Sequence, residues 1–513
     1  MKYNTYIQKI FLCLSISVLL FSCKKQLEEV IPQTSISKNL ALTDAGAAQT
    51  IYEGIYSRLR AQNSLMFYLG EMRSQLWVDG LFTESVDGTA QMFYTHTVSY
   101  LTVPYGEWGG LYNLIYNINN VIEVLPQSPL DAATVKKDIA EMYGLRAYVY
   151  YLLLKTWGEV PLATETIDKI DNAAQTYKAR SSKDSVMALI KSDIAKSLDM
   201  FGSDNTIESG KRVYWNRVAT LVLKGDVYLW SATNLGGGTA DLNTAKAALQ
   251  EVKNLEGSTL GLDANYADIF DPTKKENNKE IIFALNYEIS QAVQTTFTNF
   301  RVNALQATGM SFSPTGSPTV SEVYPYASGA NRVGLSLSMI NNLTSGPADQ
   351  RIANSFKVMY STAASHSIMG VMLTKFIGVT SGTTQVYNND YPIYRYADVL
   401  LLLAEAKTKL GESPASEINE IRQRAYGTNA PVFTNGSVKQ NMDAILEEYL
   451  REFIGEGKLW WALRRAGDSY VYDHLNPTYF SPASTEKMLL PITQTMLNND
   501  PLLKQTEGYP TIQ

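Results

Sequence analysis

The residues best suited to chemistry in this sequence are aromatic and polar side chains in the segment from Gly70 to Trp108. The flat face of an aromatic ring is negative and packs against the slightly positive C–H groups of a sugar ring. Carboxylate, amide and guanidinium groups hydrogen-bond sugar hydroxyls. The segment lacks a long helical period, so we expect a loop surface suited to carbohydrate. Its candidate residues are Arg73, Trp77, Asp79, Tyr94, Tyr100 and Tyr105.

Most aromatic residues elsewhere are expected to serve packing instead. The chain has 32 Tyr and 7 Trp, far more than one binding surface can use. Aromatic residues that fall within predicted helices are assigned to the core. They include Tyr148, Tyr150, Tyr151, Trp460 and Trp461.

Catalytic motifs are scarce. The three histidines, His96, His366 and His474, stand far apart and form neither an HExxH motif nor a Cys/His cluster, which gives zinc or Ser/His catalysis little support. A carboxylate pair for glycoside hydrolysis stays open, because the fold sets its spacing. We predict a protein that is not an enzyme, with no catalytic residue, no cofactor and no metal ion.

Two polar runs could suggest ligand sites but are better explained as turns. The "NLGGGT" run at 234–239 follows a predicted helix and lacks the Gly-Lys-Ser/Thr of a phosphate loop, so we interpret it as a helix end and a turn. The "NND" run at 388–390 could bind calcium, but a helix-entry turn is the preferred interpretation.

Residues 1–22 have the layout of a secretory leader, with two lysines, no acidic residue and a short apolar stretch at 10–21. The sequence "LFSC" ending at Cys23 resembles a bacterial lipobox, in which that thiol is acylated. Cys13 leaves with the leader, so Cys23 would have no disulfide partner. We predict that Cys23 anchors the chain to a membrane; the alternative is an ordinary leader with an incidental cysteine.

Charge and length limit the partners and the architecture. Loss of the two leader lysines changes the formal charge from −6 to −8, which makes nucleic acid an improbable partner. No later stretch has the roughly 20 apolar residues of a membrane span. No long linker divides the chain, so we expect one compact body made of an N-terminal region, 23–255, and a C-terminal region, 256–513.

Hydrophobic periodicity predicts a mainly α fold of tetratricopeptide-like helical hairpins with a loop-rich face and a few short strands. Between 256 and 390 the chain is rich in Gly, Ser, Thr, Asn and Pro, and "KEIIFALNY" there predicts a short buried strand. The expected helices are Thr43–Arg60, "WGGLYNLIYNINNVIEVLP", "TVKKDIAEMYGLRAYVYYLLLKTW", Lys183–Phe201, Val213–Asn234, Leu242–Leu255, a segment opened by Pro392, and Ala415–Arg424.

Six blocks, in order, resemble the SusD/RagB family of surface lipoproteins that partner SusC-type TonB-dependent outer-membrane transporters. The blocks are "GLRAYVYYLLLKTWGEVPL", "ANYADIFDPTKKENNKEIIFALNY", "YPIYRYADVLLLLAEAKTKLG", "INEIRQRAYG", "ILEEYLREFIGEGKLWWALRRAG" and "LLPITQTMLNNDPLLKQTEGY". The family's usual Glu-Arg pair is Leu450-Arg451 here, and its usual Asp before Leu-Arg-Arg is Ala462; we take these for structural positions.

The resemblance implies a helical scaffold, a loop ligand face and a role in nutrient uptake. The ligand face would combine the segment 70–108 with loops around Tyr287 and Asn299. The protein would be a cell-surface lipoprotein that captures oligosaccharides for its transporter. Three alternatives stay open, namely a RagB-like peptide-capturing protein, a lipoprotein hydrolase and a scaffold without a ligand.

Overall fold

The computed structural model describes residues 37–510 apart from 81–85, 102, 168, 170, 208–211 and 258. The predicted leader and Cys23 lie outside these residues. Among the helices in the described ranges, none is both long and apolar enough to cross a bilayer.

The N-terminal part consists of helices that pack mostly on their neighbours in sequence. Several begin at a polar cap whose side chain accepts an otherwise unpaired amide, for example Asp44 and Asp131. The helices are α1 Lys38–Ala41, α2 Ala45–Arg60, α3 Asn63–Gly70, α4 Gly88–Tyr94, α5 Gly109–Val124, α6 Ala132–Trp157, α7 Lys183–Phe201, α8 Arg217–Asn234 and α9 Gly238–Lys253.

The middle of the chain is made of loops, short helices and small antiparallel sheets. Strand β1 (Val78–Asp79) pairs with β4 (Val333–Gly334), and β2 (Ile281–Leu285) pairs with β9 (Tyr391–Arg395). The other strands are β3 Met310–Ser311, β5 Phe356–Ser361 and β6 Ile368–Leu373 in one sheet, and β7 Val379–Ser381 with β8 Thr384–Val386 in another. The helices here are α10 Ala304–Thr308, α11 Val320–Val323, α12 Leu337–Thr344 and α13 Gln350–Ser355.

The C-terminal helices return the chain to the N-terminal array, because the first of them, Tyr396–Lys409, packs on both α8 and α9. One apolar core therefore includes residues from both halves, from Tyr52 to Leu503. The helices are α14 Tyr396–Lys409, α15 Ala415–Tyr426, α16 Val438–Glu452, α17 Leu459–Ala466, α18 Asp468–His474 and α19 Gln494–Asn499.

A buried ion network joins the C-terminal elements. The guanidinium of Arg395, at the end of β9, donates to Glu280 at 2.5 Å, to Glu452 at 2.6 Å and to Glu456 at 2.9 Å. Arg424 on α15 pairs with the same Glu280 and Glu452. All five side chains are almost completely buried, so each charge depends on its partners rather than on water.

The mainly α prediction is confirmed, with corrections at some boundaries. Helix α7 and the strand in "KEIIFALNY" lie where they were expected, and Tyr150, Tyr151, Trp460 and Trp461 are core residues. Helix α8 begins at Arg217, not Val213, because the Asn216 side chain caps the Ala219 amide. Helix α9 begins at Gly238, earlier than Leu242. The "NLGGGT" run contains the end of α8 and a turn, as expected, but its last two residues, Gly238 and Thr239, already belong to α9.

The helix expected to open at Pro392 is wrong for its first residues. Residues 391–395 form β9, which pairs with β2 through contacts such as Ala284 with Pro392, and α14 begins only at Tyr396. The "NND" run at 388–390 therefore precedes a strand rather than a helix. A long-range pairing partner overrides the local preference of proline for a first helical turn.

Candidate functional site

Helix α4 (Gly88–Tyr94) has a cluster of polar and aromatic groups at its start. Asp87 caps the helix by accepting the amides of Thr89 and Ala90 through one carboxylate oxygen, at 3.0 and 3.1 Å. Its other oxygen accepts the Tyr68 hydroxyl at 3.0 Å and the Asn299 amide at 2.6 Å. Burial and the Asp87 charge raise the pKa of Tyr68, which keeps its hydroxyl protonated as a donor.

Tyr105 extends this cluster toward solvent. Its half-buried ring lies 4.5 Å from the Tyr68 ring in a tilted contact. Its backbone has φ +62°, a conformation that bulky residues rarely adopt. Strain of this kind persists only where the surroundings compensate for it, and it is common at binding sites.

The end of α4 holds a second polar pair. Tyr94 hydrogen-bonds the Asp79 carboxylate, and burial followed by this bond raises the pKa of the Tyr94 hydroxyl. Gln91 also reaches Asp79, at 3.5 Å. Asp79 itself lies on β1, where its backbone pairs with Val333 of β4. The seven residues of α4 place the two clusters about 10 Å apart. We name the surface formed by Asp79, Tyr105 and Asn299, with Tyr94 buried beneath it at 4% exposed, the loop face.

Tyr287 lies toward the opposite end of α3 (Asn63–Gly70) from Tyr68. Its hydroxyl accepts the side-chain amide of Asn63 at 3.0 Å, and the Arg60 guanidinium lies 5.9 Å from its ring centre. The side chain is 5% exposed, and burial raises its pKa to about 12. The Tyr287 amide donates to Asp390 at 2.8 Å, and Lys275 donates to the same carboxylate at 2.8 Å. Asp390 of the "NND" run therefore supports this loop.

Arg73 and Trp77 lie beneath the surface. Trp77 is 0% exposed and donates to the Glu71 carboxylate at 3.1 Å. Glu71 also accepts the amides of Gly455 and Gly457, at 2.7 and 2.9 Å. Through Glu71, Trp77 therefore helps to hold the loop at 455–457 in place. Arg73 is 1% exposed and donates to the carbonyl groups of residues 487 and 488.

Tyr100 contacts the C-terminal helix α19 through its backbone. Its carbonyl oxygen accepts the amide of Gln494 at 2.7 Å, and its side chain is half-buried. The structure thus brings Asp79 and Tyr94 together, and Asn299 and Tyr105 around Asp87. The ligand-binding role of each of these residues stays a prediction.

Sequence reasoning missed three residues that organise the loop face, namely Tyr68, Asp87 and Gln91. Asp87 followed by Gly-Thr-Ala has the form of a helix cap, and this signal could have revealed α4. Tyr68 lies in an apolar helix, and its contact with Asp87 depends on the tertiary fold. Tyr479, which is 37% exposed and close enough to Tyr94 to affect the pKa of its hydroxyl, was also missed.

The loop face carries groups of the kinds that hydrogen-bond hydroxyls and pack against sugar rings. Asp79 and Asn299 are half-buried acceptor and donor groups, and Tyr105 offers a partly exposed ring. In the described ranges no group of three or more His, Cys, Asp or Glu side chains is arranged to hold a metal ion.

Comparison with protein families gives two matches. Residues 359–509 match the SusD family, and residues 48–229 match a family described as starch-binding and associating with the outer membrane. The chain is also 24% identical to SusD-like protein P38 of Formosa agariphila, over 97% of this chain and 98% of that protein.

Solved structures extend the similarity to nearly the whole chain. B. fragilis NanU is 31% identical, with a TM-score of 0.83 over 94% of this chain and all of that one. A SusD superfamily protein from Bacteroides vulgatus is 29% identical, with a TM-score of 0.80 over 91% of this chain and all of that one. Sequence blocks, helical scaffold and these two structures agree: the chain belongs to the SusD-like family of outer-membrane-associated proteins.

Proposed function

We propose that this protein is a non-catalytic, cell-surface glycan-binding lipoprotein that captures an oligosaccharide on the loop face and delivers it to a SusC-type TonB-dependent transporter. The observation that carries the proposal is the grouping of Asp79, Tyr105 and Asn299 around α4. These groups retain exposed surface and combine hydrogen bonding with ring contact.

Proteins of the same fold support the ligand class. One of them is described as a laminarin-binding SusD-like protein, and another is surface glycan-binding protein A from Bacteroides uniformis. Both are less than 25% identical to this chain, so they favour glycan as the class of ligand without indicating which glycan.

Attachment and partner follow from the same proposal. An acyl chain contributes about 0.8 kcal/mol per buried methylene, so several chains on Cys23 would give a stable anchor. An anchored binding protein needs a route for its ligand across the membrane, and a SusC-type transporter supplies it. Co-purification of a large β-barrel protein with this chain from detergent-solubilised membranes would test the partnership, and recovery of the chain alone would contradict it.

The ligand is tested by electrophoresis of the purified protein in native gels that contain one polysaccharide each. We expect retardation by one glycan class. The Tyr105→Ala and Asp79→Asn variants should weaken it at least tenfold, because each removes a ring contact or an acceptor from the loop face. The matched control is Tyr116→Ala, which removes a tyrosine that is 41% exposed on α5, outside the loop face.

Other outcomes separate the alternatives. Retardation that is unchanged in both loop-face variants would show that the glycan binds to another part of the protein. Binding of peptides but of no glycan, measured by calorimetry, would replace the glycan proposal with peptide capture. Release of reducing ends from a bound glycan, lost on replacement of one carboxylate, would make the protein a hydrolase.

A further inference from the structure

A pocket separate from the loop face lies between the end of α6, α8, α17 and the C-terminal segment 485–508. Its volume is about 920 Å³, which is within the range of small-molecule sites. Its lining includes no residue of the loop face. The apolar part of the wall is formed by Leu154, Trp230, Leu235, Met488, Leu489 and Leu502.

Arg464 is the buried charge in this wall. It is 6% exposed, and its guanidinium lies 5.2 Å from the Trp230 ring centre and donates to the Met488 carbonyl oxygen at 2.5 Å. Its Nε atom has no hydrogen-bond partner among the described residues. The adjacent Arg465 differs, because it donates to Glu405 at 3.1 Å and to Asp226 at 3.0 Å.

A second guanidinium adds to the positive charge. Arg73 donates to the same Met488 carbonyl at 3.1 Å, and its Nη1 atom also has no partner among the described residues. Burial, then repulsion from Arg464, lowers the pKa of Arg73 to about 9. Burial lowers the pKa of Arg464 to about 10. The buried guanidinium groups of Arg73 and Arg464 therefore donate to the same carbonyl oxygen. Neither has a hydrogen bond to a carboxylate among the described residues.

The other charges of the lining lie nearer to solvent. Lys183, Lys504, Glu159, Asp468 and Glu507 are exposed, and Glu486 and Arg180 are half-buried. Arg180 uses its donors on the carbonyl groups of residues 157, 159 and 504. Asp468 raises the pKa of Arg464 by attraction but does not bury its own charge. The inner wall is thus positive and partly apolar.

We propose that this pocket binds a small organic acid, whose carboxylate approaches Arg464 while its ring packs against Trp230 and Leu489. A charge-assisted bond to a buried guanidinium is stronger than one between neutral groups, and it would give Arg464 a buried ionic partner, which the exposed Asp468 is not. The proposal does not depend on glycan capture at the loop face, because the two sites share no lining residue.

The test is calorimetry of the purified protein with galacturonate and, as a neutral probe of nearly the same shape, its methyl ester. We expect one site for galacturonate, with at least tenfold weaker binding of the ester. Arg464→Gln should abolish that preference. Because this variant removes a buried group and could fail to fold, Ala179→Trp is the second variant: Ala179 is exposed and lines the pocket, so a larger side chain should block it.

A control keeps the result specific. Ala174→Trp places the same side chain at an exposed alanine outside the pocket and should bind as the wild type does. Absence of heat at millimolar galacturonate, equal binding of acid and ester, or full binding by Ala179→Trp would each overturn the proposal.

Discussion

At the scale of single residues, Arg395 is the group on which the buried ion network depends most. It is the common donor to Glu280, Glu452 and Glu456. Replacement by a methionine of similar length would leave three buried carboxylates short of a cation. We expect Arg395→Met to lower the free energy of unfolding by about 3–5 kcal/mol, the usual cost of breaking a buried ion pair, measured by urea denaturation.

The matched control is Arg58→Met. Arg58 is exposed on α2 and donates to Asn113 at 3.1 Å, so its loss should cost less than about 1 kcal/mol. If both variants lost the same free energy of unfolding, the ion network would not be a special source of stability. The loss in Arg395→Met would then come from side-chain packing.

The same scale shows what a sequence can and cannot say about a site. The composition of the segment 70–108 drew attention to Asp79, Tyr94 and Tyr105, which the structure places near α4, with Tyr94 buried; their binding role stays a prediction. It could not separate Trp77 from them, because Trp77 is buried by contacts with Phe300 and Glu71. Nothing local to Arg73 reveals that carbonyl groups from the far end of the chain enclose its guanidinium.

At the scale of elements, close helix packing depends on Gly144 of α6. A β-carbon at this position would lie 2.1 Å from the Trp215 indole nitrogen, which donates to Thr220 at 2.8 Å. We expect Gly144→Ala to destabilise the protein by about 1–3 kcal/mol, because the indole ring must move out of a packed core. Thermal denaturation measures the change.

Gly54 provides the control within another helix. No atom lies within 4 Å of a β-carbon built at Gly54, so alanine there should gain about 0.4–1 kcal/mol by reducing the freedom of the unfolded chain. If both alanine variants were stabilised, α6 and the loop that carries Trp215 would have to be more loosely packed than the structure indicates.

Elements also differ in how far local sequence determines them. The long helices α2, α5, α6 and α7 were predictable because each has an apolar face and a recognisable start or stop, such as Asp44 or Gly158. The hairpin of β5 and β6 was missed, and β9 was mistaken for helix. Strand β9 forms by pairing with β2, which lies far away along the chain, and the pattern of residues 391–395 alone does not show that partner. Strands β5 and β6 are neighbours in sequence, but burial along β5 does not alternate residue by residue, so no two-residue period marks it.

At the scale of the whole molecule, buried titratable groups couple stability to pH. Burial raises the pKa of Glu71 to about 7, of Glu141 to about 8 and of Asp390 to about 6. An acid whose pKa is higher in the folded state than in the unfolded state makes its full contribution to stability below the ordinary carboxylate pKa. That contribution is lost as the pH rises through the folded-state pKa. The arginine neighbours of Glu452 outweigh its burial and lower its pKa, so its contribution is lost at low pH instead.

The three raised carboxylates predict a decline in the stability of the folded chain from about pH 5 to pH 8. Buried His96 opposes this decline below about pH 6.5, because burial lowers the pKa of its imidazole well below the ordinary value. Lys155 and Lys375, whose pKa burial lowers to about 8, remain mostly protonated in both states over most of that range and change the slope little. We expect the Tm to fall by a few degrees, since a tenfold change in a group's acidity between the folded and unfolded states corresponds to about 1.4 kcal/mol.

Glu141→Gln should flatten the decline, because Glu141 has the highest pKa of the three acids, whereas Glu165→Gln at an exposed site should not. Scanning calorimetry at closely spaced pH values measures the slope of Tm against pH. A Tm that rises toward pH 8, or an unchanged slope in Glu141→Gln, would contradict the assignment of the decline to buried carboxylates.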